Sequence, residues 1–257
     1  MVNTTPITQL ENELKKQVAL SCRIIGYRNV TKGTLGHVSV RVPETDRILI
    51  KGRGPDVEGM EFSTERDIIT INMEGNVLDA RDGLTAPAET AMHLAVLRRR
   101  PEVQSVIHAH PDWIVVLTSV GKPLIAMVNA YDGGSSARII KEGIPIYPRS
   151  MTITNDDLGD DMMRTMGNND ICLQFGHGIC VAGTSVENAT QTSLTLYEVA
   201  RLNYLAYAIG TPQPIADADL RVRRQASSAG QRPQTPSGIS SFWRYETKCL
   251  PQIHPDA

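Results

Sequence analysis

The order of apolar and polar residues divides the chain into predicted helices and strands. From Leu10 onward apolar residues recur every four positions with Glu and Lys between them, which predicts an amphipathic helix ending near Asn29. Strict alternation predicts a strand at His37–Arg41, whose sequence is HVSVR. Arg47–Lys51 (RILIK) follows after a Pro-Glu-Thr-Asp turn, so these two strands should form a hairpin.

The same two patterns predict the other elements. Further strands are expected at Asp67–Met73, Val103–His110, Leu124–Val128, Ile144–Tyr147, Ile171–Phe175 and Ile179–Ala182. Further helices are expected at Ala88–Arg100, Asp112–Ser119, Ala137–Gly143, Asp156–Met166 and Val186–Ile209. Strands joined by hairpins, with helices between them, indicate an α/β fold with a largely antiparallel sheet and helices on its faces.

The C-terminal part differs in composition from the rest. Residues 226–241 are rich in Ser, Gly, Pro and Gln, which predicts a flexible segment. Three aromatic residues follow it, and we expect them to dock on this subunit or on a neighbour: Phe242, Trp243 and Tyr245. The chain therefore divides into a main domain, 1–215, and a C-terminal extension, 216–257.

Composition excludes several classes of partner. A net charge of −2 over 257 residues gives no electrostatic reason to bind nucleic acid or an anionic membrane. The four cysteines form no CxxC pair, which favours reduced thiols over a disulfide framework. No stretch approaches the roughly 20 apolar residues of a membrane span, and the start lacks a signal-peptide pattern. We expect a soluble, cytoplasmic protein.

Histidines supply the candidate chemistry. His108 and His110 stand two positions apart near the end of a predicted strand, so both rings should point to one face of the sheet and could reach one divalent cation. The alternative is a half-buried pair at a strand end that holds nothing. His177 lies between two glycines, which suits either a third ligand in a tight turn or an ordinary turn residue. His93, among apolar neighbours in a predicted helix, is interpreted as a packing residue.

Glu89 is the candidate acid or base. It falls in the first turn of the helix that begins near Pro87, where carboxylates commonly stabilise the helix dipole. Beside a metal site the same carboxylate could transfer protons. The residues alone leave both roles open.

Three segments together resemble the class II aldolase/adducin family over about residues 10–210. They are GHVSVR (Gly36–Arg41), PAETAMHLAVLRRRPEVQSVIHAHP (Pro87–Pro111) and LQFGHGICVAG (Leu173–Gly183). The resemblance implies a three-layer α/β/α sandwich with a mostly antiparallel central sheet. It also implies a homotetramer or larger homo-oligomer with sites at subunit interfaces.

The resemblance assigns roles to four residues. His108, His110 and His177 would bind one divalent metal ion per subunit, most commonly Zn²⁺, with Mn²⁺, Co²⁺, Mg²⁺ and Fe²⁺ as alternatives. Glu89 would be the catalytic acid/base. Because all three histidines are present, the adducin-like branch that lost them is disfavoured.

The chain departs from the sugar-phosphate aldolases of that family where they bind phosphate. Gly36-His37 stands in place of Gly-Asn, and Pro87-Ala88 in place of two hydroxyl residues, so phosphate donors are missing. The basic residues nearby could bind a carboxylate or could be solvated surface charges. Candidate substrate-binding residues are His37, Ser39, Arg41, Lys51, Gly52, Arg53, Tyr131, Trp243 and Tyr245.

These departures resemble the decarboxylase branch of the family. We therefore expect a metal-dependent decarboxylase of a hydroxylated aromatic carboxylate or a carboxylated ring-cleavage product. The metal would take up the charge of the enolate left by CO₂, and Glu89 or a water it holds would protonate the carbon. The alternatives are a class II aldolase for a non-phosphorylated hydroxy-carbonyl substrate, a non-haem Fe(II) oxygenase and a non-enzymatic interaction module.

Overall fold

The computed structural model describes residues 6–127, 135–140, 143–216, 218–219 and 240–251. The α-helices of this part are α1 (Pro6–Tyr27), α2 (Thr90–Arg99), α3 (Asp112–Ser119), α4 (Ser135–Ile140), α5 (Asp156–Met166), α6 (Val186–Ile209) and α7 (Ser241–Cys249). The strands are β1 (His37–Arg41), β2 (Ile48–Lys51), β3 (Ile68–Ile71), β4 (Val77–Asp79), β5 (Ser105–Ala109), β6 (Ile146–Tyr147), β7 (Ile171–Gln174) and β8 (Gly178–Gly183). Most predicted elements are confirmed with shifts of a few residues at their ends.

The described strands form one eight-stranded sheet in the order β4-β3-β2-β1-β5-β8-β7-β6. Every neighbouring pair is antiparallel except β6 with β7. This confirms the predicted α/β fold with a mostly antiparallel sheet. Strands β1, β5 and β8 occupy the middle of the sheet, and they carry or adjoin the histidines singled out above.

Side chains alternate between two apolar layers, one on each face of the sheet. On one face Val38, Ile107 and Val181 pack with residues of α1 and α6. On the other face Val106 and Ala182 pack with residues of α2 and α5. Helices thus cover both faces, which gives the three-layer sandwich. None of the helices in the described ranges combines the length and apolar character that a membrane span requires.

One local prediction was wrong, and one strand was not predicted. The described part of the predicted strand Leu124–Val128 is not a strand, because the side chain of Asn203 in α6 satisfies the backbone of Ile125: Ile125 N donates to Asn203 Oδ1, and Asn203 Nδ2 donates to Ile125 O, each at 2.9 Å. Strand β4 was not predicted, since its three residues are exposed and give no alternating pattern.

The aromatic segment near the C-terminus docks on this subunit. Helix α7 lies against α1 and α6, and the Trp243 side chain is 9% exposed within the apolar layer of those helices. Arg28, directly after α1, pairs with Glu246 of α7 at 3.7 Å. Most of the predicted flexible segment 226–241 lies outside the described residues.

Candidate metal and catalytic site

The site forms where β5 ends between two neighbouring strands. His37 of β1 stands opposite His108 of β5, and His108 stands opposite Cys180 of β8. His110 follows β5 on the same face as His108, as the two-residue spacing predicted. The turn that carries His177 joins β7 to β8 and so lies beside the end of β5.

Glycines on both sides of His177 allow this turn. Gly176 has φ +58°, a left-handed conformation that glycine adopts without a Cβ clash. Gly178 lies so close to β5 that an added Cβ would be 3.5 Å from His108 Cε1 and nearer still to the Ala109 backbone. The glycines therefore place His177 against the strand that holds the other two histidines, which fits the ligand interpretation of this segment.

Four donor atoms face one another. His108, His110, His177 and Glu89 each contribute one possible ligand atom, and these atoms all lie within 4.8 Å of one another. His108 Nε2 is 2.7 Å from His110 Nε2 and 3.0 Å from Glu89 Oε2, while His177 Nε2 is 3.7 Å from the same carboxylate oxygen. The sequence predicted this grouping, although its members are up to 88 residues apart along the chain.

The hydrogen bonds of the outer ring nitrogens show that this donor set suits a cation. His108 Nδ1 lies 2.8 Å from the Ile179 carbonyl and His177 Nδ1 lies 3.2 Å from the Met151 carbonyl. A carbonyl only accepts hydrogen bonds, so each Nδ1 carries the hydrogen and each neutral ring directs the Nε2 lone pair inward. Ring nitrogens 2.7 Å apart and a carboxylate 3.0 Å away require a positive charge between them, which either a proton on His108 or a bound metal ion supplies. Three imidazoles and a carboxylate are ligands typical of Zn²⁺ and related divalent ions.

Glu89 directs its carboxylate into the site and away from its own helix. It occupies the position before α2, yet its side chain makes no capping hydrogen bond, so the helix-dipole alternative is not supported. Its Oε1 accepts a hydrogen bond from Ile153 N–H at 3.1 Å, and its Oε2 faces the histidines. Burial raises the pKa of Glu89, but the hydrogen bond and charge of His108 and the Ile153 N–H outweigh this and bring it to about 2. Glu89 is therefore ionised at neutral pH and can accept a proton.

A second group of polar side chains lies behind His108. His37 Nδ1 is 2.7 Å from His93 Nε2, and His93 Nδ1 is 2.6 Å from Ser39 Oγ. The His37 ring also lies against that of His108, with centroids 5.1 Å apart. Ser39 and His93 are completely buried, whereas His37 keeps 8% of its surface exposed. We refer to Ser39, His93 and His37 as the histidine relay.

His93 was wrongly interpreted as a packing residue, since both of its ring nitrogens make hydrogen bonds. One signal in the sequence could have identified it. Glu89 and His93 are four residues apart, so a helix that directs Glu89 toward the site directs His93 to the same face.

Burial keeps the rings around the cluster uncharged. It lowers the pKa of His93 to about 3 and that of His110 to about 3, and it lowers the pKa of His177. Burial likewise lowers the pKa of His37 well below its usual range, and nearby charges, Lys51 among them, act in the same direction. Neutral imidazoles are the form that binds metal ions.

The structure places the predicted substrate-binding residues in different parts of the fold. Lys51 is only 2% exposed, and its ammonium group has no ion pair or hydrogen bond within the described residues. Gly52 is buried beside it, and its backbone N–H bonds to the Asp67 carbonyl. Arg53 is exposed and its backbone pairs with Thr85. This loop adjoins His37, so it stays a candidate for substrate binding.

The other candidates lie away from the donor cluster. Arg41 stands at the far end of β1, about 13 Å from His37 at the usual strand rise, and donates to the Leu97 carbonyl at the end of α2, which corrects its predicted role. Trp243 packs on the opposite face of the sheet, and Tyr245 of the same helix is 58% exposed. Neither covers the site of its own subunit. Tyr131 lies outside the described residues.

Comparisons with known proteins identify the relatives of this chain. Residues 16–204 match the sequence profile described as Class II Aldolase and Adducin N-terminal domain. The 3,4-dihydroxyphthalate decarboxylase of Terrabacter sp. (strain DBF63) is 33% identical and covers 90% of this chain and 95% of its own. The enzyme of the same name from Arthrobacter keyseri is 32% identical, over 80% and 84%. An aldolase II superfamily protein from Pseudomonas syringae has the same fold, with a TM-score of 0.79, 19% identity and 96% and 94% coverage.

Proposed function

Because the chain belongs to the class II aldolase and adducin family, we propose that it is a divalent-metal-dependent decarboxylase of a hydroxylated aromatic carboxylate. The observation that carries the proposal is the convergence of three imidazole nitrogens and the Glu89 carboxylate on one point. The relatives named as 3,4-dihydroxyphthalate decarboxylases support this substrate class, since they align over 80% and 90% of the chain. A carboxylated product of aromatic ring cleavage is the other substrate that we consider.

The metal would be held by His108, His110 and His177. Hydrogen bonds to protein carbonyls orient His108 and His177, and burial favours the neutral form of His110 and His177. A divalent ion bound by neutral ligands retains its charge and supplies Lewis-acid chemistry to nearby oxygen atoms of a substrate. We propose Zn²⁺ as the first candidate, because imidazole-rich sites favour it. Metal analysis of the purified protein identifies the ion.

Glu89 would move the proton. Since it is ionised at neutral pH, it must first accept the proton that it later donates. We propose that it takes a proton from a hydroxyl group of the substrate and returns it to the ring carbon. The bond between that carbon and the carboxylate breaks, its electron pair stays on the carbon, and CO₂ leaves. The proton from Glu89 then forms the new C–H bond.

Features near the site favour a carboxylate over a phosphate. Pro87 has no backbone N–H and Ala88 no hydroxyl, so two positions before Glu89 offer no side-chain donor. Lys51 supplies a nearly buried ammonium group that has no partner within the described residues. Its charge acts on His37 and also on Cys22 of α1, and Lys51 follows Ile50 along β2, so its side chain lies on the face of the sheet opposite His37. We propose that the exposed Arg53, in the loop that adjoins His37, attracts an anionic aromatic substrate, which corrects the predicted role of Lys51.

The exposed apolar residues near His177 support a homo-oligomer. Val116 of α3 is 41% exposed, Val120 directly after that helix is 62% exposed, and Phe175 before the Gly176 turn is 40% exposed. Side chains of this kind beside a site favour burial against another subunit. We propose a homo-oligomeric, cytoplasmic enzyme that acts on a small carboxylate, and analytical ultracentrifugation measures the subunit number.

The decisive experiment incubates metal-loaded protein with a panel of dihydroxylated aromatic carboxylates, beginning with 3,4-dihydroxyphthalate. We expect products lighter by one CO₂, released CO₂, and no oxygen uptake. The Glu89→Gln variant with its metal retained is the control for chemistry at this site. Release of an aldehyde from hydroxy-carbonyl substrates would instead identify an aldolase. Oxygen consumption that stops under anaerobic conditions would identify an oxygenase.

A further inference from the structure

Ser39, at the buried end of the histidine relay, determines which atom donates each hydrogen bond along it. Ser39 Oγ has one hydrogen, and within the described residues the hydroxyl has one hydrogen-bond partner, His93 Nδ1 at 2.6 Å. Because Ser39 is completely buried, water cannot accept that hydrogen. If His93 Nδ1 carried a hydrogen, the hydroxyl hydrogen would have no acceptor, which is costly for a buried group. Ser39 is therefore the donor, and His93 Nδ1 is the acceptor.

This direction passes from ring to ring. A neutral imidazole has one N–H, so an accepting Nδ1 puts the hydrogen of His93 on Nε2. His93 Nε2 then donates to His37 Nδ1, 2.7 Å away. By the same rule the hydrogen of neutral His37 lies on its own Nε2. Within the described residues, His37 Nε2 has no hydrogen-bond partner. It is not among the unpaired side-chain atoms that are fully buried, so it is accessible to solvent.

We propose that Ser39 and His93 fix His37 as an Nε2–H donor that binds a carboxylate oxygen of the substrate. The proposal rests on the proposed function for its ligand and on the hydrogen bonds for its direction. The His37 ring lies against the His108 ring, so a substrate bound at the donor cluster would lie close to His37. His37 touches the substrate in this assignment, whereas His93 and Ser39 are positioning residues.

The chemistry of the reaction shows which carboxylate His37 binds. A hydrogen bond to the departing group stabilises the substrate more than the transition state, because the negative charge leaves that group as it becomes CO₂. Such a bond would slow the reaction. A donor is therefore useful on a second carboxylate that stays on the ring, and the site should prefer aromatic dicarboxylates over monocarboxylates.

Ligand binding tests this assignment without turnover. The probes are 3,4-dihydroxybenzoate, which keeps one carboxylate, and catechol, which has none, and calorimetry with the metal-loaded protein gives both dissociation constants. A hydrogen bond to a charged group predicts that the carboxylate improves affinity about ten- to a hundredfold in the wild type. His37→Leu should abolish that ratio, and His37→Gln, which places an amide N–H near the same point, should restore part of it.

A separate measurement, the tautomeric state of the histidine rings, tests the positioning residues His93 and Ser39. Ring ¹⁵N shifts of labelled, zinc-loaded protein distinguish the two neutral tautomers of each histidine. We expect the Nε2–H form for His37 and His93. In Ser39→Ala the Nδ1–H form of both rings should appear, and the ligand ratio should fall several-fold while metal content is unchanged. Ser193→Ala, which removes a buried hydroxyl bonded only within α6, is the matched control and should change neither.

The outcomes separate this inference from the proposed function. An Nδ1–H tautomer for His37 in the wild type, or an unchanged ligand ratio in His37→Leu, overturns the inference even if CO₂ is released. Absence of decarboxylation across the panel overturns the proposed function, while the tautomers and the binding ratio still test the relay. If His37→Leu fails to fold, His37→Gln and Ser39→Ala still give both measurements.

Discussion

Replacing Gly178 by alanine tests how closely β8 and β5 must approach to form the site. An added Cβ would lie 3.3 Å from the Ala109 carbonyl carbon and 3.5 Å from His108 Cε1, with the carbonyl oxygen nearer still. Because the obstacle is backbone, side-chain rotation cannot relieve it, and the two strands must separate by roughly 1 Å at that point. Ala109 lies between His108 and His110, so the shift moves both rings away from His177.

The expected magnitudes follow from that displacement. Overpacking of this kind costs about 1–3 kcal/mol of the free energy of unfolding. Ligands displaced by about 1 Å should bind the metal about 10- to 100-fold more weakly and lower turnover by about two orders of magnitude. Chelator competition measures the dissociation constant of the metal, and thermal unfolding followed by circular dichroism measures stability.

Gly210→Ala is the matched control for this substitution. An added Cβ there meets no atom within 4 Å, and the backbone is extended, so the variant should behave as the wild type. If Gly178→Ala also kept wild-type metal affinity, stability and turnover, the strands would tolerate the methyl group. Glycine at position 178 would then not be needed to bring the three histidines together.

Four further predictions address the donors and the C-terminal helix. His177→Ala should lose most bound metal and all turnover, and wild-type metal content by elemental analysis would remove it from the ligand set. Glu89→Gln should keep the metal but lose a factor of about 10²–10⁴ in kcat, whereas a nearly unchanged rate would exclude it as the proton carrier. Because burial lowers the pKa of His110 to about 3, metal affinity should vary little near neutral pH and fall in acid as protons compete for the rings; an affinity that rises in acid would contradict this. Trp243→Ala should cost about 3–5 kcal/mol of stability but leave the activity of the folded fraction unchanged, since this side chain packs on the face opposite the site.

Local patterns in the sequence predicted the parts of the site that lie on one element. The two-residue spacing of His108 and His110 is sufficient to place both rings on one face. Helix and strand periodicity also located most elements, because each buries one side against the sheet. The Gly-His-Gly turn indicated a close approach of backbone, and the contact of Gly178 with β5 agrees with it.

Relations between distant elements were harder to obtain from the sequence. Arg41 was grouped with His37 as a basic residue near the position where related aldolases bind phosphate, yet it lies at the other end of β1, beside the end of α2. His93 had an apolar neighbourhood in the sequence, while its partners Ser39 and His37 came from a different strand. The backbone of Ile125 forms its hydrogen bond with a side chain of α6 instead of with a neighbouring strand. The pattern of apolar and polar residues does not predict such a bond. These features depend on the order of strands in the sheet, which local composition does not encode.

The pairing of β5 with β8 has a consequence for folding. His108 stands opposite Cys180, and a slip of one residue between these strands would turn both β5 histidines into the opposite layer. The misaligned chain would then offer no common point for the rings. A divalent ion that binds the native alignment and not the slipped one stabilises it by mass action, by about 2.7 kcal/mol at a free concentration one hundred times its Kd. The ion's second role would be to select the correct strand register as the sheet assembles.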